Sequence, residues 1–399
     1  MHSIVILGGN FAGVSTAHYL LLHVLPVLNS TSSDKSEYKV TLIAPNDHTF
    51  FKVGAPRALS SPEIPLEKSF ASIPDAFSHY KTSEFTFIQG EAIQLDEATK
   101  KISVNSGGDI KNTSVYYDSL VIATGTTSAS PLWTLHGDYK KTRDAFADLH
   151  LRLPQAKTVL IAGGGAAGVE TAGEIAYFYK QASVTLLSGS TRLLPRYKHT
   201  GLAKAAESQF SSLSVRTIHN LRISSSTVLP DGKTSLKLSD GTTKVVDIYI
   251  DATGGTPNSN FLPSSWLDDH NRVATDGTTL RTTSAPTGIY SIGDVASFSK
   301  GNIPDAIWPV SALGYSIWSD LRQSADRKEG TADGGAVLKE KKYKQIQADM
   351  GAIPIGPKGG VGVIYGWRVP SWFVWLVKSR NFMMDKSPEL ATGEAVKKA

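Results

Sequence analysis

The chain has 399 residues, of which 41% are hydrophobic and 19% charged, with a formal net charge of +5. That length accommodates two or three domains, and the balance is that of an ordinary globular chain. There is no cysteine, which excludes disulfides, thiolate metal sites and a redox-active thiol pair. A surplus of five positive charges does not mark a nucleic-acid binder by itself. It suits phosphorylated cofactors or an acidic membrane surface equally well.

The first element is an apolar strand, Ile4-Val5-Ile6-Leu7, running into the turn Gly8-Gly9-Asn10-Phe11-Ala12-Gly13. A glycine-rich turn between strand and helix sets backbone N–H groups and a helix N-terminus against a pyrophosphate. Asn10 stands where this fingerprint has its second glycine. Asn accepts φ > 0 more readily than other non-glycine residues, so the turn is expected to survive as a nucleotide site. The leucine-rich stretch 19–28 follows the turn and reads as the buried helix of the unit, too short to span a bilayer. Asn29-Ser30-Thr31-Ser32-Ser33-Asp34-Lys35-Ser36 reads as a polar loop, an insertion of small entropic cost. It precedes a second strand, Val40-Thr41-Leu42-Ile43. Such a strand normally ends in an acidic residue that binds a ribose; here it ends in Ala44-Pro45, with Asp47 close by.

Leu120-Val121-Ile122-Ala123-Thr124-Gly125 is a further apolar strand closed by a glycine turn. A second fingerprint begins at Val159-Leu160-Ile161-Ala162, where Gly163, Gly165 and Gly168 fit G-x-G-x-x-G without exception. Helix-compatible residues follow, then the strand Val184-Thr185-Leu186-Leu187, completing a βαβ unit. Ser188 comes next, again without a carboxylate, and Arg192 lies four residues on. Ser plus Arg tolerates a 2′-phosphate, and Arg192 fits a solvated loop equally, so the choice between NADH and NADPH stays open. Ile248-Tyr249-Ile250-Asp251-Ala252-Thr253-Gly254 and Gly288-Ile289-Tyr290-Ser291-Ile292-Gly293-Asp294 are two more strands with glycine turns. The run Lys339-Glu340-Lys341-Lys342-Tyr343-Lys344 reads as an exposed helix face. Residues 367–382 concentrate Trp367, Trp372, Phe373, Trp375, Leu376 and Val377, closed by Lys378 and Arg380. Aromatic rings beside basic residues suit a segment lying on a membrane, and equally a helix packed on a neighbouring domain or a dimer interface.

In this order and spacing the turns and strands resemble the two-dinucleotide flavoprotein reductases. Within them the chain is most similar to the apoptosis-inducing-factor-like oxidoreductases, which include ferroptosis-suppressor-type quinone reductases and are kin to type-2 NADH dehydrogenases. The resemblance spans nearly the whole chain. It also rests on Ala55-Pro56-Arg57-Ala58, on Gly168-Val169-Glu170 with Ala172-Gly173-Glu174, and on Ile292-Gly293-Asp294. A C-terminal stretch from Gly360-Val361-Gly362 to Leu376-Val377-Lys378-Ser379-Arg380 completes it.

The resemblance implies an α/β fold of the glutathione-reductase type, with two Rossmann-like domains and a small C-terminal α+β domain. The FAD domain would comprise residues 1–140 and 256–330, the NAD(P)H domain 150–255, and the C-terminal domain 331–399. FAD would lie on Gly8, Gly9, Asn10, Phe11, Ala12 and Gly13, with Thr124, Gly125 and Gly293. Asp294 would bond its ribityl chain or nearby phosphate, Arg57 would lie near its diphosphate, and Ala92 would contact adenine through its backbone. Gly163, Gly165, Gly168 and Ser188 would hold the nicotinamide nucleotide. Glu170 would sit beside nicotinamide and flavin, and Lys378 would reach the flavin from the C-terminal domain. Taken alone, Arg57 fits a surface ion pair, Lys378 a helix C-terminal cap and Glu170 a first-turn dipole contact.

The expected activity is hydride transfer from NAD(P)H to FAD, then passage of two electrons to a quinone-type acceptor or oxygen. The alternatives are reduction of an electron-carrier protein and a redox-sensing or nucleic-acid-binding effector role. The first strand starts almost at Met1, so a cytoplasmic location is expected, with peripheral membrane contact through the C-terminal aromatic segment.

Overall fold

The computed structural model describes residues 2–31, 37–61, 64–107, 112–329 and 337–396. Its first sheet contains β1 (His2–Leu7), β2 (Tyr38–Ala44), β3 (Phe85–Gln89) and β4 (Ser119–Ile122), all parallel. A second parallel sheet contains β5 (Thr158–Ala162), β6 (Ser183–Leu187), β7 (Arg216–Ile218) and β8 (Ile248–Asp251), in the order β7-β6-β5-β8. The chain then returns to the first sheet, where β9 (Ile289–Ser291) pairs with β4 and gives the order β9-β4-β1-β2-β3. A three-stranded antiparallel sheet follows: β10 (Gly351–Pro354), β11 (Gly360–Ile364) and β12 (Trp367–Val369).

Both parallel sheets are covered on both faces, which is why their strands read as unbroken apolar runs. On β1, Ile4 and Ile6 pack among Val14, Ala17 and Leu313, while Val5 and Leu7 face a different cluster with Val104 and Trp266. On β5, Val159 and Ile161 face one cluster and Leu160 another.

The helix after the first turn, α1 (Phe11–Tyr19), continues through a π-helical turn, Leu20–Val24, into Leu25–Thr31. The stretch expected to be short is therefore part of a helix whose Phe11–Ser30 span is long and apolar enough to cross a membrane. Of that apolar window, 78% is buried inside the protein, as in a core helix of the first sheet. Most of the inserted loop expected at 29–36 lies outside the described residues.

The run 339–344 is not a helix: it is extended coil laid against the protein. Tyr343 explains the difference. Its amide donates to Thr278 O at 2.9 Å, its hydroxyl to Asp305 Oδ1 at 2.7 Å, and its ring meets Phe298. One buried ring among exposed lysines fixes the chain without helical hydrogen bonds.

Candidate active site

The two glycine turns are built alike. Gly8 follows β1 with φ +115°, and Gly163 follows β5 with φ +125°. A Cβ at Gly8 would strike the carbonyl of Ala123, and one at Gly163 that of Ala252, each just past the neighbouring strand. Gly13 and Gly168 are required for a second reason: a Cβ on either would collide with the carbonyl oxygen of Gly8 or Gly163.

The middle position differs, and the difference explains Asn10. Gly165 is the N-cap of α3 (Ala166–Phe178) and has open space where a Cβ would sit. Asn10 occupies the same position ahead of α1 with extended backbone, φ −123° and ψ −161°. The expected need for φ > 0 at Asn10 is thus corrected, since no left-handed conformation is imposed there. Its amide instead clamps the next segment, with Nδ2 donating to Phe50 O at 3.2 Å and Oδ1 accepting from Phe50 N at 3.3 Å.

A single cleft of about 1260 Å³ runs from the ends of β1 and β2 across to α3 and the C-terminal sheet. Gly8, Gly9, Asn10, Phe11, Ala12, Ala92, Thr124, Gly125, Gly293 and Asp294 line one part of it, and Glu170 and Lys378 another. The second glycine turn meets the cleft through Ala166 and Ala167, at the start of α3.

Asp294 follows Gly293, whose φ of +80° and close approach to Ala12, 3.0 Å from a built Cβ, bring the backbone against the first turn. Asp294 Oδ2 accepts from Lys52 Nζ at 2.8 Å. Burial alone would push the Asp294 carboxyl up, but Lys52, with Arg272 and Arg196 farther off, holds it below the usual carboxylate value. Lys52 carried no sequence signal, because its partner lies 242 residues away.

Glu170 and Lys378 meet in the cleft, with Nζ 2.5 Å from Oε1. Glu170 belongs to the second turn of α3, which starts at Ala166, so the first-turn dipole contact does not account for it. Burial raises its carboxyl above the usual value, and Lys378 opposes that rise. Lys378 comes from a π-helical turn, Trp375–Ser379, after the short helix Ser371–Val374. Single π-turns recur at functional sites.

Two expected contacts, Arg57 and Ser188, lie off the cleft, and Arg192, left open by the sequence, packs beside Ser188. Arg57 does not line the cleft. It is buried on α2 (Ala55–Ser60; numbered between α1 and α3), where its guanidinium grips both oxygens of Glu174 and donates to Ser379 O at 2.9 Å. The reason is its partner: a buried carboxylate needs a buried cation, and Glu174 is fully enclosed. Ser188 is buried under the second turn, its hydroxyl donating to Arg192 O at 3.1 Å rather than facing the cleft. Arg192 donates to Pro195 O and Tyr197 O, at 3.1 and 2.7 Å, and so braces its own loop.

Two glycine cradles on parallel sheets, opening on one cleft with an acid and a cation at each end, fit two dinucleotides. A match to the pyridine nucleotide-disulphide oxidoreductase family covers residues 2–310. The chain belongs to that family. It is a flavoprotein oxidoreductase whose cofactors are FAD and NAD(P)H. Unlike the disulphide chemistry in the family's description, nothing here can pass through thiols, because the chain has no cysteine.

Oxidoreductase phnG of Penicillium herquei is 33% identical, over 98% of this chain and 96% of that protein. Oxidoreductase ptaL of Pestalotiopsis fici is 34% identical, over 98% and 99%. Ferroptosis suppressor protein 1 of Xenopus tropicalis is 24% identical, over 96% and 94%. Among solved structures, the water-forming NADH oxidase from Lactobacillus brevis aligns with a TM-score of 0.65 at 17% identity, over 79% of this chain and 69% of that one. That last likeness concerns the fold.

Proposed function

We propose that this flavoprotein belongs to the apoptosis-inducing-factor-like branch and passes two electrons from NAD(P)H to a quinone-type acceptor. In this reading residues 1–140 and 256–330 form the FAD domain, 150–255 the NAD(P)H domain and 331–399 the C-terminal domain. FAD, when bound, supplies the two-electron carrier between nicotinamide and acceptor; the protein supplies orientation and electrostatics. The first glycine turn, Thr124, Gly125, Ala92, Gly293 and Asp294 would hold it, with Lys52 facing the same ligand as Asp294. Gly163, Gly165 and Gly168 would hold the nicotinamide nucleotide at the start of α3. Glu170 and Lys378 share a proton-capable contact where the two cofactor regions meet.

The observation that carries the acceptor is the wall beside Lys378. Phe373, Val377, Ile364 and Met350 line the same cleft as Lys378, an apolar surface beside a cation, which suits a flat, sparingly polar molecule with two carbonyls. With no cysteine available, the electrons do not leave through a thiol pair, which is compatible with a small diffusible acceptor. Steady-state turnover of the purified yellow protein with a soluble benzoquinone is the test. Efficient NAD(P)H oxidation dependent on the quinone supports the reading, and turnover with oxygen alone overturns it.

The same wall continues onto the surface as Trp367, Trp372, Trp375, Leu376 and Val377, with Trp367 81% and Trp372 65% exposed. Arg368 and Arg380 stand exposed among them. We infer that this ridge rests on an anionic lipid surface, so that the cleft mouth faces the source of a lipid-soluble quinone. The protein would then be cytoplasmic and peripherally membrane-associated. Co-sedimentation with phosphatidylserine-containing vesicles, lost in a Trp372→Ser/Trp375→Ser variant, supports this. A wild type that stays in the supernatant overturns it.

A further inference from the structure

Arg57, which is not among the residues lining the cleft, has contacts that define a task of its own. It joins three parts of the chain that are far apart in sequence: α2, helix α3 through Glu174, and the C-terminal turn through Ser379 O. Its guanidinium carbon also lies 4.9 Å from the centre of the Phe382 ring, and Lys378 Nζ lies 5.5 Å from the same ring. Glu170 and Glu174 are four residues apart on one face of α3, and each holds one of these two cations. Two like charges at that spacing repel, and the cations from outside the helix are what make the arrangement tolerable.

The turn carrying Lys378 depends on such external support. A π-turn leaves its last carbonyls poorly served by the helix itself, and Ser379 O finds its donor in Arg57. Just beyond the turn come two left-handed residues without a glycine, Phe382 at φ +51° and Met383 at φ +58°. Such conformations persist only where neighbours over-determine them. Ser379 contributes a second anchor, its hydroxyl donating to Gly359 O at 2.9 Å.

We propose that Arg57 is a positioning residue for electron delivery to the acceptor, fixing the Trp375–Ser379 turn so that Lys378 stays engaged with Glu170. This rests on the reading of Lys378 as an acceptor-side residue. The role demands an arginine: only a planar fork serves both Glu174 oxygens and a carbonyl while stacking on a ring. A lysine keeps the charge and one bond, and loses the rest.

The experiment uses full-length, FAD-loaded Arg57→Lys. Amide hydrogen exchange over residues 375–382 should accelerate at least about tenfold, while exchange in β1 and β5 is unchanged. In stopped flow, flavin reduction by NADH should stay within about twofold and reoxidation by quinone should slow about fivefold or more. In the Lys378→Ala background, Arg57→Lys should change reoxidation by less than about twofold, because the two act in series. Unaltered exchange at 375–382, or rate effects that multiply, would overturn the proposal. If Lys378→Ala alone leaves reoxidation intact, the acceptor reading fails, and the proposal for Arg57 falls with it even if exchange accelerates. Should Arg57→Lys fail to fold, Arg57→Met/Glu174→Gln removes both charges together and is judged by the same exchange and reoxidation measurements.

Discussion

Lys378 Nζ lies 2.5 Å from Glu170 Oε1 although 208 residues separate them, so the C-terminal turn and the nucleotide helix α3 meet at one ion pair inside the cleft. A buried pair of this kind is costly to break one-sidedly, because the remaining charge loses its partner. Lys378→Ala should slow quinone-dependent reoxidation by about tenfold or more, or about 1.4 kcal/mol of barrier, with FAD content retained. Stopped-flow measurement of the two half-reactions decides it. An unchanged reoxidation rate removes Lys378 from the mechanism.

Asp294 presents a carboxylate beside Gly293 and the first turn, and Lys52 balances it. Asp294→Ala should weaken FAD binding at least about tenfold, roughly 1.4 kcal/mol, because a ligand hydroxyl or amide at that point loses its acceptor. Lys52 would also be left without its counter-charge. The absorbance ratio of flavin to protein after dialysis reports the loss, and full occupancy in the variant rejects the assignment.

These two sites show where the sequence was legible and where it was not. Gly8, Gly13, Gly163 and Gly168 are readable because steric exclusion leaves no other residue at those points, so the chemistry is written in the residue type. The apolar runs of β1 and β5 are readable because both faces of each sheet are covered. The buried pairing of Arg57 was not legible because residue type gives a charge but not its partner, and Glu174 lies 117 residues away. Lys52 and the Trp375–Ser379 π-turn gave no signal, since neither a long-range pair nor an i→i+5 turn leaves a sequence period. Tyr343 defeated the helix reading of 339–344 for the converse reason: a single buried side chain outweighed local propensity.

Asn10 offers a stability test separate from catalysis. It links the first turn to Phe50 by two hydrogen bonds in an extended conformation that does not require glycine. Restoring the fingerprint with Asn10→Gly should therefore destabilise the protein by about 1–2 kcal/mol, through lost bonds and added backbone entropy. Urea unfolding measures this; a variant as stable as the wild type shows that the clamp contributes nothing.

Glu174 sets a pH dependence. Burial pushes its carboxyl up from 4.5 to about 7, with Arg57 opposing the rise and Glu170 adding to it. A raised folded-state pKa favours the protonated form in the folded protein. Its stabilising contribution is complete below the unfolded value of 4.5 and is lost as pH rises through about 7. Glu174→Gln removes this titration, so the wild-type stability measured against the variant should fall between these pH values, by at most about 3 kcal/mol. Equal pH profiles for the two proteins would mean that Glu174 titrates normally.

In the proposed reading, the choice of nicotinamide donor would be made at the end of β6. An acidic residue there would repel a 2′-phosphate, and Ser188 supplies none. A free arginine there would attract it, but Nη2 of Arg192 donates to Pro195 O and Tyr197 O, which ties the side chain to its loop. Neither term dominates, so both donors should be accepted. Their kcat/KM values should differ by less than about a hundredfold, or under roughly 3 kcal/mol of differential binding. Ser188 itself should contribute little, because its hydroxyl already bonds Arg192 O; Ser188→Ala should shift the NADH-to-NADPH ratio by less than about threefold. Removing Arg192 should act in the same sense as adding a carboxylate: Arg192→Ala, by deleting the nearby positive charge, should lower NADPH use more than NADH use, by less than about tenfold because the side chain is already tied to its loop. Steady-state kinetics with each nucleotide on the wild type and both variants provide the test. A wild-type preference beyond a hundredfold, in either direction, would place donor selection on residues outside this loop.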